Sequence, residues 1–161
     1  MQNKRGISQT FRAVPEGRVV RPATVFDVFD MSVVLIRSIT QLCGADHQGD
    51  PDQITAWTAN KTPDGLRQWF AGDHVLWVAE LDGQMCGVAA ASPAGDVSVL
   101  YVDPSATGQG VGTALLQRVE EHLREAGFGD ASLKSTQTAR SFYLRQGWQK
   151  VGDDLRMTKS L

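Results

Sequence analysis

The sequence predicts an α/β domain with a mixed, mostly antiparallel central sheet of six or seven strands and about four flanking helices. Three observations carry that prediction. Apolar runs separated by two tight-turn signals fill residues 75–102, the pattern of an antiparallel meander. Apolar residues recur at helical spacing in two long stretches, 24–42 and 110–126. Between meander and second helix, YVDPSATGQGVGTALL (Tyr101–Leu116) passes from strand to helix through glycines at 108, 110 and 112. Strands on both sides of such a strand–loop–helix unit make the sheet mixed.

The elements follow in order. RVVRPA (Arg18–Ala23) reads as a first strand stopped by a proline. Val25, Val28, Phe29, Val33, Ile36 and Ile39 give the first helix its apolar face, and GADHQGDP (Gly44–Pro51) breaks it. Pro51–Thr58 reads as a short helix. Thr62 is placed to cap another, with Pro63 at its first position. VLWVAEL (75–81) and QMCGVAAA (84–91) flank Asp82–Gly83, a two-residue hairpin signal, and VSVLYV (97–102) is the third strand of the meander. The helix at 110–126 turns Val111, Leu115, Val119 and Leu123 inward and stops at Gly127. A strand at 131–135, a short helix at 138–146 and one or two strands between Trp148 and Met157 come last.

A chain of 161 residues, 42% hydrophobic, can bury one core, and residues 18–161 read as a single domain behind a loose, polar tail at 1–17. Net charge is −2 with no basic block, which argues against nucleic-acid binding. No apolar run approaches the ~20 residues of a membrane span, and the first 15 residues lack the apolar core of a secretory signal. Cys43 and Cys86 form neither a CxxC pair nor a metal spacing. The expectation is buried, reduced thiols, a cytoplasmic protein, no membrane partner and no metal.

The glycine loop needs a reason, because glycine at a helix start costs roughly 0.5–1 kcal/mol against alanine. The first N–H groups of a helix have no internal acceptor and carry the positive end of its dipole. Without a Cβ in the way, phosphate oxygens approach the amides of Gln109, Gly110, Val111, Gly112 and Thr113, and the Thr113 hydroxyl adds a further donor. A pyrophosphate fills such a row. No lysine follows Gly110 or Gly112, so this is not a nucleotide-hydrolase loop, and the dinucleotide pattern begun by Gly108-x-Gly110 is not completed. The glycines alone fit an ordinary tight turn equally well.

Two motifs add to them. TGQGVG (Thr107–Gly112), after a strand ending Val102-Asp103-Pro104, resembles the acyl-CoA motif of the GNAT superfamily, the Gcn5-related N-acetyltransferases. Both closing glycines match, while Thr107 stands where that family has glutamine or arginine. STQTARSFYLRQGW (Ser135–Trp148) resembles the family's second element at Ala139, Phe142, Tyr143, Arg145, Gly147 and Trp148. The resemblance covers about Arg18 to Met157 and implies the GNAT fold, with its strand–glycine loop–helix acyl-CoA site.

It also implies a chemistry. Acetyl-CoA, the co-substrate, gives its acetyl group directly to an amine in a ternary complex. The acceptor is a small-molecule or peptide amine, and the protein is a monomer or homodimer. By resemblance, the Leu100 amide faces the thioester carbonyl, a placement worth ~3 kcal/mol in the barrier. The Val102 amide holds the pantetheine arm, and Thr107, Gly108, Ala139 and Phe142 join residues 109–113 in binding the cofactor. Tyr143 is the candidate acid for the departing thiolate, since a phenol of pKa ~10 is protonated at neutral pH. The acceptor must be deprotonated, because an amine of pKa ~10.4 is neutral in roughly one molecule in two thousand at pH 7. Asp96 is the first candidate base, with Glu80, the loop residues Asp46 and His47, or water as alternatives. Arg140 and Arg145 are placed for a CoA phosphate or a solvated helix face. Trp57 and Trp69 flank the acceptor side, where helix packing alone accounts for them. A noncatalytic acyl-CoA sensor on the same fold is the rival reading.

Overall fold

The computed structural model describes residues 17–161, so the expected tail, apart from Gly17, lies outside the described residues. From Arg18–Pro22 (β1) the chain passes through a 3-10 turn at Val25–Asp27 into Val28–Leu42 (α1). Gly44–His47 (α2), Pro51–Thr58 (α3) and Pro63–Ala71 (α4) follow. The meander is Val75–Leu81 (β2), Gln84–Ala91 (β3) and Val97–Val102 (β4). A 3-10 turn at Pro104–Ala106 and the glycine loop lead to Val111–Glu125 (α5). Then come Asp130–Lys134 (β5), Arg140–Arg145 (α6), Gln149–Lys150 (β6) and Arg156–Ser160 (β7).

Local chemistry explains most boundaries. Asp82 and Gly83 adopt φ of 49° and 81°, the pair of left-handed residues that closes a two-residue hairpin. The Thr62 hydroxyl accepts from the Gly65 N–H at 3.1 Å and starts α4. Gly17 is pinned to the same hairpin, its N–H donating to Asp82 at 2.8 Å. Two boundaries differ from expectation. The stretch 44–51 is not all loop: it holds α2, one turn ended by Gln48 at φ 52°. The helix expected at 138–146 begins only at Arg140, after a turn whose Gln137 and Thr138 amides donate to the Asp46 carboxylate at 2.7 and 3.2 Å.

The strands form two sheets rather than one continuous one, in the orders β1-β2-β3-β4 and β5-β7-β6. All strand pairs within them are antiparallel. One parallel bridge, Asp96 to Ser132, joins β4 to β5. Beyond it the two strands separate, leaving a gap at the middle of the molecule.

Helices cover both faces. α5 packs its Val111, Leu115, Leu116, Val119 and Leu123 on one face, with Trp77, Trp148 and Met157 in the same cluster. Burial of each such side chain contributes about 1.5–3 kcal/mol. Gly87 lets this helix approach: a Cβ there would lie 2.6 Å from Leu115 Cδ1. On the opposite face α1 and α4 cover β2, β3 and β4 through Val28, Met31, Leu35 and Leu66. Glu120, buried on α5, accepts from Trp148 Nε1 at 3.0 Å and Lys159 Nζ at 2.9 Å, tying the second sheet to the helix.

Candidate active site

The gap exposes one edge of β4. The Asp103 N–H donates to the Cys86 carbonyl on β3 at 2.7 Å. Backbone groups alternate sides along a strand, so Tyr101 and Val99 also face β3. The N–H groups of Leu100 and Val102 therefore point away from β3, into the gap. These are the two amides singled out from the sequence.

A cavity of about 260 Å³ occupies this gap. Val97–Val102 of β4 form one wall, and Ala139, Phe142 and Tyr143 form another. Ser38, Leu42 and Cys43 close it from the α1 side; Lys134, Thr136 and Thr138 come from β5 and the loop after it. Thr107 and Gly112 connect it to the glycine loop. None of the lining residues is Asp or Glu.

At the loop, Gly108 and Gly110 take φ of 74° and 77°, a left-handed conformation that L side chains resist. Gly110 caps α5, and the first helical bond runs from the Ala114 N–H to the Gly110 carbonyl at 3.1 Å. Among the described residues, no acceptor meets the amides of Gln109 to Thr113. Arg18, which the sequence reading missed, donates Nη1 to the Gln109 and Gly110 carbonyls at 3.3 and 3.2 Å. It thereby holds the carbonyls on one side and the free amides on the other. The Thr113 hydroxyl accepts from Gln146 at 3.2 Å, which leaves its proton available. Gly112 is packed against Phe142: a Cβ would lie 3.4 Å from its ring, an ordinary contact.

Tyr143 is 6% exposed, edge-on to Phe142 and Trp148. Burial, and after it the neighbouring Tyr101, push its phenol well above the ordinary tyrosine value. Burial also raises Tyr101, which lines the same cavity, to about 12. Both phenols therefore keep their protons across the neutral range. The Cys43 thiol is pushed up to about 11 by burial and by Asp46, so it is no nucleophile at neutral pH. Both cysteines are free and buried, as expected.

None of the candidate bases lines the cavity beside Leu100. Asp96 lies outside the cavity beside Leu100, four residues back along the strand, or about 13 Å. Its carboxylate accepts from the hydroxyls of Ser92, at 3.1 Å, and Ser132. It holds the strand bridge. Glu80 is bound by Arg21 at 3.0 Å, in a cluster that includes Asp27. His47 is not a solvated loop residue: it is 3% exposed, with Nε2–H donating to the Ile39 carbonyl at 2.8 Å and Nδ1 accepting from Gly49 at 3.0 Å. Both ring nitrogens serve the backbone. Asp46 is spent on Gln137 and Thr138.

Arg145 is exposed; Arg140 is half-buried, its Nε the one buried side-chain nitrogen without a partner among the described residues. Trp57 packs edge-on to His47 and Trp69 joins the α1–α4 cluster, as helix packing requires. Ser38, Cys43 and Lys134 reach the cavity with no sequence signal; only the fold brings them there.

A sheet parted beside an amide-rich helix start defines a class, the split-sheet α/β fold of N-acetyltransferases. The chain belongs to the acetyltransferase (GNAT) domain family, whose model matches residues 45–159. It is 34% identical over 89 residues to N-acetyltransferase 8F1 of Rattus norvegicus, a match covering 48% of this chain and 40% of that protein. The chain thus aligns with less than half the length of that relative. A solved GCN5-related N-acetyltransferase from Rhodopseudomonas palustris superposes with a TM-score of 0.79 at 25% identity, over 91% of this chain and 97% of that one. A PaiA N-acetyltransferase from Thermoplasma acidophilum, solved in complex with coenzyme A, gives 0.74 at 20% identity over 90% and 99%. Among the described residues no helix is long and apolar enough to cross a membrane.

Proposed function

We propose that the protein transfers an acetyl group from acetyl-CoA to a primary amine by direct attack within a ternary complex. The observation that carries this reading is the open edge of β4, facing the cavity beside an amide row with no acceptor of its own. That donor set fits a diphosphate: five consecutive N–H groups at the positive end of a 15-residue helix, two of them, at Gly110 and Gly112, without a Cβ.

The Val102 amide binds the pantetheine arm and the Leu100 amide accepts the negative charge that develops on the thioester oxygen. The amine nitrogen attacks the carbonyl carbon, a C–N bond forms, and the C–S bond breaks with its electron pair leaving on sulfur. Tyr143 delivers its proton to that sulfur and regains one from water. The ammonium proton of the acceptor passes to water, because no carboxylate lines the cavity.

The test is thiol release from acetyl-CoA across a panel of small amines and peptides, paired with calorimetry of CoA and ATP. Turnover with any amine and preference for CoA are expected. CoA binding without turnover across the panel assigns the fold to a sensor, and ATP preference overturns the phosphate assignment.

A further inference from the structure

Across the gap from Leu100, Lys134 lines the 260 Å³ cavity and also a second cavity of about 600 Å³ between β4, β5 and β7. Val97 and Lys134 are common to both, so the two spaces meet at this lysine. On β5, Ala131 and Leu133 turn into the α5 core, so Ser132 and Lys134 face the other way. Lys134 pairs in register with Arg156 of β7, which places both cations on one face. Among the described residues, Lys134 Nζ has no hydrogen-bond or salt-bridge partner, although the exposed Asp154, paired with Arg156, lies near enough to feel its charge. Arg156 uses only its Nε, on the exposed Asp154 at 2.8 Å. The remaining charge at this opening is Asp96, engaged by the hydroxyls of Ser92 and Ser132.

Register gives the distance. The bridge aligns Asp96 with Ser132 in parallel, which sets Lys134 level with Ser98. That is two residues short of Leu100, about 7 Å along the strand. An ammonium on a flexible four-carbon stem covers the space next to the reacting carbonyl. An unpaired cation is a poor neighbour for a bare ammonium acceptor and a good one for an acceptor that brings its own anion.

Resting on the acyl-transfer reading above, we infer that the acceptor is a small amine bearing its own carboxylate, as a free α-amino acid does. Lys134 receives that carboxylate, with Arg156 behind it. One carbon, Cα, separates the amino and carboxylate groups of an α-amino acid, so a carboxylate at Lys134 keeps the amine within the gap, on the side toward Leu100. The same positive charge lowers the affinity of the amine for its proton, which suits a site whose one lining carboxylate, Asp96, is held by two serine hydroxyls.

The experiment measures thiol release from acetyl-CoA with the standard L-amino acids, each beside its carboxamide, and with n-butylamine. Free acids should exceed their carboxamides at least tenfold in kcat/KM. Lys134→Met should lower kcat/KM for the acids by about 30-fold, as expected for loss of a charge-assisted contact, and leave carboxamide rates and CoA affinity within twofold. Lys134→Arg should retain the preference. Equal rates for acids and carboxamides, turnover confined to n-butylamine, or an equal loss for both classes in Lys134→Met each overturn the inference while acyl transfer stands. CoA binding with no turnover of any acid also overturns it; failure to bind CoA sinks the acyl-transfer reading itself.

Discussion

The two ends of the gap are built from different materials. At the glycine end, the groups proposed to face the ligand are main-chain amides from one continuous segment, Leu100 to Thr113. At the other end they are side chains from separated places: Ser38 on α1, Cys43 after it, Tyr101 on β4 and Lys134 on β5. A backbone site depends on conformation, which glycine at φ near +75° enforces locally. A side-chain site depends on where the fold carries each residue, so single substitutions can retune it without disturbing the first.

This contrast is tested most severely at Gly112. Its φ is not in the left-handed region and an added Cβ meets only ordinary contacts, so Gly112→Glu should fold. The added side chain would start against Phe142 and Val102, where the cavity meets the glycine loop, and its negative charge would repel phosphate. CoA affinity should fall about 100-fold, or ~2.7 kcal/mol, by calorimetry. Unchanged affinity in a folded variant would remove the diphosphate from this loop. Gly110→Val is the harsher change, because its φ of 77° strains any branched residue, and it should cost stability as well.

Tyr143 stands where the two ends meet. Tyr143→Phe should lower kcat about 30-fold with acetyl-CoA affinity kept within twofold, measured by steady-state kinetics and calorimetry. The sign of its pH behaviour follows from burial. A phenol held above its ordinary pKa of 10 stays protonated as pH rises, so kcat should show no loss from tyrosine ionisation between pH 7 and 9.5. Wild-type rates in Tyr143→Phe would retire the proton-donor role.

Legibility in the sequence followed the same division. β2, β3 and β4 were readable to the residue, because short apolar runs bounded by turns, one of them Asp-Gly, are local signals. So were the glycine loop and the amides of Leu100 and Val102, the latter through family resemblance. The parting of β4 from β5 likewise followed from the family resemblance and not from a local pattern, since strand separation is a tertiary outcome. Not legible was the burial of His47, whose partners Ile39 and Gly49 give no sign that they would satisfy both ring nitrogens. Lys134 and Arg156 meet only through the β5–β7 pairing, 22 residues apart in sequence.

His47 turns that lesson into a measurement. His47→Ala removes a buried donor and a buried acceptor and leaves the Ile39 carbonyl and Gly49 amide unpaired. Stability should fall by about 2 kcal/mol in urea titration while kcat of the folded fraction stays within threefold. A kcat loss with unchanged stability would return this ring to the chemistry.

The smallest change is expected at Asp96, the residue the sequence put forward first as base. Its two oxygens accept from Ser92 and Ser132, and it sits at the single bridge between the sheets among the described residues. Asp96→Asn keeps one accepting oxygen, so the bridge should persist with a stability loss below about 1 kcal/mol. If water takes the amine proton, kcat and its pH profile should match wild type within twofold. If Asp96 is the base, acting through water across about 13 Å of strand, the neutral amide abolishes the acidic limb of the kcat/KM profile and lowers the rate by about 100-fold. Asp96→Ala separates structure from chemistry further: it should lower stability by about 1–2 kcal/mol through both lost hydroxyl partners, and loosen the gap at its hinge without changing the pH profile.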